Sequence, residues 1–380
     1  MSSITETEGG EVLAMLSDSL ERYLEDHHGF EQRLHARAWA DDAPPAFWAG
    51  LARDLDLLGA ALPEDQGGLG LGWAAHGALM PVLGAALAAE PYLSTLVLGA
   101  GLLQRNPGPH ADALLRSVVA GQAVLAFAHD EPHSRHARGD VRTRLSRQAD
   151  GSLVLQGRKA VVRAAPWASH LIVSARGGDG ALSLVTVPAD APGVRMRGFP
   201  TRDGARAADI AFDAVHLPPH ALLGAEGAAL EHIEQALDEA TLAVCAESIG
   251  VMHRLMRDTL DYVRQRKQFG VPIASFQVLQ HRLADMHMAL EQAQALTASV
   301  GEALAGGPSA PARARAVSSA KVAVAKACRA VGQGAVQLHG GMGMTEELAV
   351  GHYVRRATLI ETQFGPLSWH LRRVAGCSPA

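Results

Sequence analysis

Apolar residues recur at spacings of three and four over residues 11–38, where Val12, Leu13, Leu16, Leu20 and Tyr23 form one helical stripe. Pro44 and Pro45 end it, and Phe47, Trp48 and Leu51 mark a second helix over 46–56. Residues 72–120 continue as helices, broken near Pro91 and again at Pro107 and Pro109. The pattern changes at Gly121. The runs Ala123–Phe127, Leu153–Leu155, Leu171–Ser174, Leu182–Val187 and Val215–Leu217 are short, β-prone and separated by Gly, Asp and Pro, which predicts a compact antiparallel β-domain. From Glu226 the helical period returns, and apolar-striped runs over 228–267, 274–305, 310–337 and 346–359 predict four helices. The first of these would extend about 60 Å at 1.5 Å per residue, too long for one small domain to cover, so it needs partner helices. The expected architecture is mainly α with a central β-domain: a helical domain over 1–120, a β-domain over 121–225 and a four-helix bundle over 226–380.

Composition narrows the function classes. The 380 residues are 48% hydrophobic and 19% charged, enough for two or three domains with a large core. Basic and acidic residues, 34 and 39 of them, are intermixed with a net charge of -5, and no basic block points to nucleic acid. Cys245, Cys328 and Cys377 lie far apart with no CxxC pair, which argues against a disulfide framework or a zinc site and fits a reducing cytoplasm. The eighteen histidines form no HExxH and no i,i+4 pair beside an open carboxylate, so no metal is expected. The polar, acidic stretch Met1–Gly10 is unlike a signal peptide. Val82–Leu103 is interrupted by Glu90 and Pro91 and reads as buried helix, not as a membrane span.

Three motifs carry the chemistry. Leu58-Gly59 through Leu62-Pro63-Glu64, Gly67-Gly68 and Gly70 supplies a tight connector between helices. Arg266-Lys267-Gln268-Phe269-Gly270 closes the long helical run ahead of Phe276-Gln277. Gln337-Leu338-His339-Gly340-Gly341-Met342-Gly343 closes the third. Taken alone, an arginine at a helix end is an ordinary solvated charge. In this order and spacing the motifs resemble the acyl-CoA dehydrogenase family, which oxidises acyl-CoA thioesters with FAD, and the likeness runs along nearly the whole chain. The resemblance implies that Arg266 bonds the FAD pyrophosphate, to which its planar fork is suited. It implies that Phe269 and Gln277 flank the adenine half, that Gln337 donates to the cofactor, and that Gly340 and Gly341 let backbone amides approach. In the family these residues reach the FAD of a neighbouring subunit.

Other family positions depart. The loop that places a hydroxyl near the flavin ring is here His129-Asp130-Glu131-Pro132-His133-Ser134-Arg135-His136, and only Glu131-Pro132 is retained. The strand that carries a tryptophan and a threonine against the ring has Val161 and Arg163 there, and an uncompensated arginine beside a flavin would disturb it. Dehydrogenation removes an α-proton while a β-hydride leaves, which needs a carboxylate within about 3 Å of the α-carbon. The two family locations for that base hold Phe364 and Ala240. Glu239 lies about 100° around the helix from Ala240. Glu247 lies on nearly the same stripe, about 10 Å further along, in an apolar stretch that would raise its pKa. It is the candidate base of this chain, with a structural ion pair to an arginine of a neighbouring helix as the alternative. Glu361 is a weaker candidate, a helix-end charge.

A chain that donates half a cofactor site without completing one suits a hetero-oligomer. The segments 270–277 and 357–365 look most like the small subunits of heterotetrameric bacterial acyl-CoA dehydrogenases of the pimeloyl-CoA and steroid side-chain type. The resemblance thus implies an acyl-CoA substrate, a larger paralogue as partner and electron-transfer flavoprotein as acceptor. Two alternatives stay open: a self-sufficient homo-oligomer using Glu247, and a non-enzymatic binding protein of the same fold.

Overall fold

The computed structural model describes residues 2–37 and 44–376. The N-terminal stripe folds as α1 (Ser2–His27) and α2 (Phe30–Arg37), two helices instead of one, with Gly29 at the break. α3 (Ala46–Arg53) and α4 (Gly72–Ala85) follow. A wide-turned helical segment, Leu93–Ala100, runs directly into α5 (Gly101–Arg105). α6 (Pro109–Val119) opens on Pro109, where a missing N–H leaves no helical bond unmade.

Eight strands follow: β1 (Leu125–Ala128), β2 (Arg144–Arg147), β3 (Leu153–Arg163), β4 (His170–Arg176), β5 (Leu182–Pro188), β6 (Val194–Pro200), β7 (Arg206–Leu217) and β8 (Leu222–Leu223). They form one sheet in the order β6-β7-β3-β2-β4-β5-β8, with β1 paired to β4. Pairing is antiparallel except where β4 runs parallel to β1 and touches β2. Leu155, Val173, Val185, Ile210 and Phe212 fill the buried face. The β2 and β6 strands escaped the hydrophobic pattern because they are polar: β2 reads Arg-Leu-Ser-Arg, and β6 turns Arg195 and Arg197 outward beside Met196.

The C-terminal part begins with α7 (Ala229–Gln265), 37 residues and about 55 Å long. The strands β9 (Lys267–Gln268) and β10 (Val271–Pro272) make a small hairpin. α8 (Gln277–Ala305), α9 (Ala310–His339), α10 (Ala349–Thr362) and α11 (Leu367–Val374) complete it, and α9 packs on the other three. α11 is a further helix, too short and too charged for the apolar stripe to announce.

The chain gathers into two compact units. One takes in described residues of Met1–Leu34, Trp73–Ala89 and Thr241–Pro379; the other, those of His35–Gly72 and Glu90–Ala240. The N-terminal helices are therefore shared between them, and α7 passes from one to the other. Within the first unit, α4 and α7 approach at backbone distance. A Cβ on Gly84 would sit 2.1 Å from the Glu247 carbonyl oxygen, and one on Gly250 would sit 1.8 Å from that of Pro81. Only glycine fits at either place, and this crossing fixes where Glu247 lies.

Candidate functional site

The residues expected to serve a cofactor lie on exposed backbone ends of the C-terminal helices. Phe269 and Gly270 have φ of 52° and 81° and form the two-residue loop of the β9–β10 hairpin. Positive φ at both positions is the turn that matches strand twist, and it is costly for phenylalanine. The ring of Phe269 is 92% exposed, with the Phe276 ring edge-on at 6.3 Å. Arg266 and Gln277 are also exposed, and among the described residues neither side chain has a hydrogen-bond partner. Gln337 is exposed on the last turn of α9. Gly340 and Gly341 follow, and a Cβ on either would meet no atom within 4 Å. The end of α7 and the end of α9 are in contact, since Tyr262 stacks on His339 at 4.4 Å between centroids.

The β-domain positions are occupied differently. Val161 has φ of 52° and is 57% exposed, in a β3–β7 register shift between Lys159 and Val162. A β-branched residue there is a genuine backbone outlier. Its N–H donates to Asp209 Oδ1 at 3.1 Å. Arg163 is compensated, contrary to the sequence expectation: it bonds Glu90 Oε1 at 3.1 Å and Asp203 Oδ2 at 3.0 Å. Burial of both carboxylates explains why the pair is kept, since removing the arginine would strand them.

The retained Glu131-Pro132 has a structural explanation. Lys159 Nζ, fully buried, donates to Glu131 Oε1 at 2.9 Å, to the His129 carbonyl at 2.9 Å and to Ser174 Oγ at 3.1 Å. Glu131 also accepts from the amides of Arg142 and Thr143 and from the Thr143 hydroxyl. Burial pushes the Glu131 carboxyl up, but the Lys159 charge and these bonds outweigh it and hold it at about 2. Burial brings the Lys159 ammonium down to about 8, with Glu131 pulling it back. Burial, with the charges of Lys159 and Arg138, takes His129 down to about 3, so it stays neutral. The loop is pinned to β3 by this knot.

Each carboxylate considered as a base is engaged. Glu247 is fully buried, and its two oxygens accept from Nε and Nη2 of buried Arg356 at 2.5 Å each. The alternative weighed from sequence, an ion pair with an arginine of a neighbouring helix, is the arrangement found, and both oxygens accept from the guanidinium. Glu239 pairs with Arg105, and Glu361 with Arg329 at 2.6 Å. Ala240 is fully buried, and Phe364 is half-buried with φ of 61°.

These residues fit the phosphate and adenine end of FAD, with an exposed guanidinium, an exposed amide and a turn whose missing side chains leave open surface. The positions expected at its ring hold Val161 and Arg163 instead of a tryptophan and a threonine, and Arg163 is engaged with two carboxylates, so neither supplies the expected ring contacts. Sequence reasoning missed Glu90, Asp203, Arg356 and Tyr262, which act through contacts distant in sequence. Lys159 stood in plain view within Gly157-Arg158-Lys159, where a lysine on a buried strand is itself a signal of a pair. Among the described residues no group of three metal-ligating side chains gathers, and no helix is long and apolar enough to cross a membrane. Cys245 and Cys328 are buried free thiols; Cys377 lies outside the described residues.

Comparison with known proteins matches residues 126–215 to "Acyl-CoA dehydrogenase, middle domain" and residues 230–376 to "Acyl-CoA dehydrogenase, C-terminal domain". Mitochondrial isovaleryl-CoA dehydrogenase of Oryza sativa subsp. japonica is 30% identical over 371 residues, covering 92% of this chain and 89% of the relative. Among solved structures, a Tcur3481-Tcur3483 steroid ACAD variant is 30% identical with a TM-score of 0.86, covering 97% of this chain and 98% of that one. The ChsE4-ChsE5 complex from Mycobacterium tuberculosis is 25% identical with a TM-score of 0.87, covering 96% of each chain.

Proposed function

The chain belongs to the acyl-CoA dehydrogenase family, and from that premise we propose that it serves FAD-dependent α,β-dehydrogenation of an acyl-CoA thioester as the small subunit of a hetero-oligomer. It completes a cofactor site whose ring pocket and catalytic base belong to a larger paralogue. Bound FAD would supply the hydride acceptor. Within this chain, Arg266 bonds pyrophosphate oxygens, Phe269 and Gln277 border the adenine half, Gln337 donates a hydrogen bond, and Gly340 and Gly341 offer backbone amides. Glu247 holds Arg356 and with it α10; it does not move a proton.

One observation carries this: Arg266, Phe269, Gln277 and Gln337 are exposed, and among the described residues Arg266 and Gln277 have no side-chain hydrogen-bond partner, while the carboxylates that might act as base are paired with arginines. Two structural neighbours at 25–30% identity are named for two components, which favours an unlike partner over a second copy. The neighbour named as a steroid ACAD favours a bulky, steroid-type acyl group, and electron-transfer flavoprotein is the proposed acceptor.

Co-expression with a candidate larger acyl-CoA dehydrogenase tests this. The two chains should purify together with FAD at one equivalent per unlike pair and should oxidise an acyl-CoA. Glu247→Gln in the small chain should lower stability without removing the turnover of the folded complex. A loss of turnover with FAD and fold intact would instead make Glu247 the base.

A further inference from the structure

The exposed set is tied together by a side chain that carries none of the family chemistry. Tyr262 lies one helical turn before Arg266, whose N–H donates to the Tyr262 carbonyl at 2.8 Å. The Tyr262 ring stacks on His339 with centroids 4.4 Å apart and planes 26° from parallel. Its hydroxyl donates to the His339 carbonyl at 3.4 Å. His339 is itself fixed. It is buried, and its Nδ1 donates to the Ala335 carbonyl at 2.9 Å.

The next residue is Gly340, with φ of 61° and ψ of -142°, a conformation open essentially to glycine alone. The short turn Gly340–Met344 buries only Gly343, which lies against Val336 and His339 of α9, while a Cβ on Gly340 or Gly341 would meet no atom within 4 Å. What grips its two ends therefore decides where its amides point. At the near end the grip is Tyr262 on His339. At the far end it is Glu346, which accepts from both Nη atoms of Arg355 and lies 3.4 Å from Nε2 of buried His352. The far grip combines an exposed ion pair, which holds weakly, with a hydrogen bond from Nε2 of buried His352 to the Glu346 carbonyl at 3.1 Å. The near grip is a part-buried aromatic stack, which does not depend on salt.

We infer that Tyr262 is a positioning residue that couples the Arg266 end of α7 to the Gly340-Gly341 turn, so that guanidinium and backbone amides meet one pyrophosphate-bearing ligand in register. This rests on the cofactor-facing role proposed above for those residues, and adds what sets their relative geometry. An arginine fork is productive only when its partner oxygens are held in place. A turn free to shift would present its amides without registering them to the arginine.

Two readouts separate this from the reading it rests on. The first is hydrogen exchange of the full chain alone, with no cofactor. Tyr262→Ala should speed exchange of the 340–344 amides by about fivefold, the worth of one aromatic pair, with α8 unchanged, and Tyr262→Phe should restore most of the protection. The second is FAD affinity of the complex assembled with the larger subunit. It should fall by a similar factor in Tyr262→Ala and recover in Tyr262→Phe. Should Tyr262→Ala fail to fold, His339→Leu removes the stack while keeping bulk. Unchanged exchange in a folded variant overturns the coupling. Faster exchange with unaltered FAD affinity overturns the positioning role, whereas wild-type complex that binds no FAD overturns the underlying reading.

Discussion

Two arginines divide this molecule. Arg163, at the end of β3, is enclosed by Glu90 and Asp203 and belongs to the fold. Arg266, after α7, is exposed with no side-chain partner among the described residues. The same contrast extends around each. Near Arg163 stand the Glu131–Lys159 pair and an amide bound by Asp209, so the polar groups of the β-domain satisfy one another. Near Arg266 stand a 92% exposed phenylalanine and two glycines with open space where side chains would be. An exposed aromatic beside a cation with no side-chain partner among the described residues suits a ligand or another chain.

The sharpest way to break the contrast is to make one substitution in both regions. Arg163→Met should cost about 3–5 kcal/mol in chemical denaturation, because two buried carboxylates lose their cation. Glu247→Gln should cost a similar amount by stranding Arg356, and unaltered midpoints in both would refute the pairing. Arg266→Met should leave the denaturation midpoint within about 0.5 kcal/mol. In the assembled complex it should weaken FAD binding about 10- to 100-fold, the range for charge-assisted hydrogen bonds.

Acid sharpens the β-domain side. The Glu131 carboxyl is held at about 2 against an ordinary 4.5. Its folded value is depressed, so its stabilisation is present above 4.5 and is lost as pH falls toward 2. The loss should be about 3 kcal/mol, and Glu131→Gln should flatten the wild-type decline in stability over that window. Smallest is Val161→Gly, which relieves a left-handed β-branched residue at an exposed site. It should raise stability by about 1 kcal/mol; a fall would show that the valine side chain is packed more usefully than its exposure suggests.

Much of the fold was legible because its signals are local. The change of period at Gly121 and its return after Glu226 bracket the sheet, and the absence of proline over 228–265 marks α7. The N-terminal stripe misled by hiding the break at Gly29. The β2 and β6 strands were hidden because most of their residues are exposed. At the candidate site, the exposed motifs were legible as motifs because glycine and arginine have narrow uses. The partners of Glu247 and Arg163 were not, since Arg356 and Glu90 lie far along the chain and only packing brings them in. The apolar stretch around Glu247 left two readings open, a base or an ion pair with an arginine of a neighbouring helix, and the sequence did not say which arginine; Arg356 faces both oxygens.

The most direct test is FAD titration of the purified chain, followed by visible absorbance, first alone and then with its larger partner. The account predicts no stoichiometric flavin on the isolated chain and one equivalent per unlike pair on mixing. A yellow isolated chain that oxidises an acyl-CoA at the rate of the mixture would contradict it.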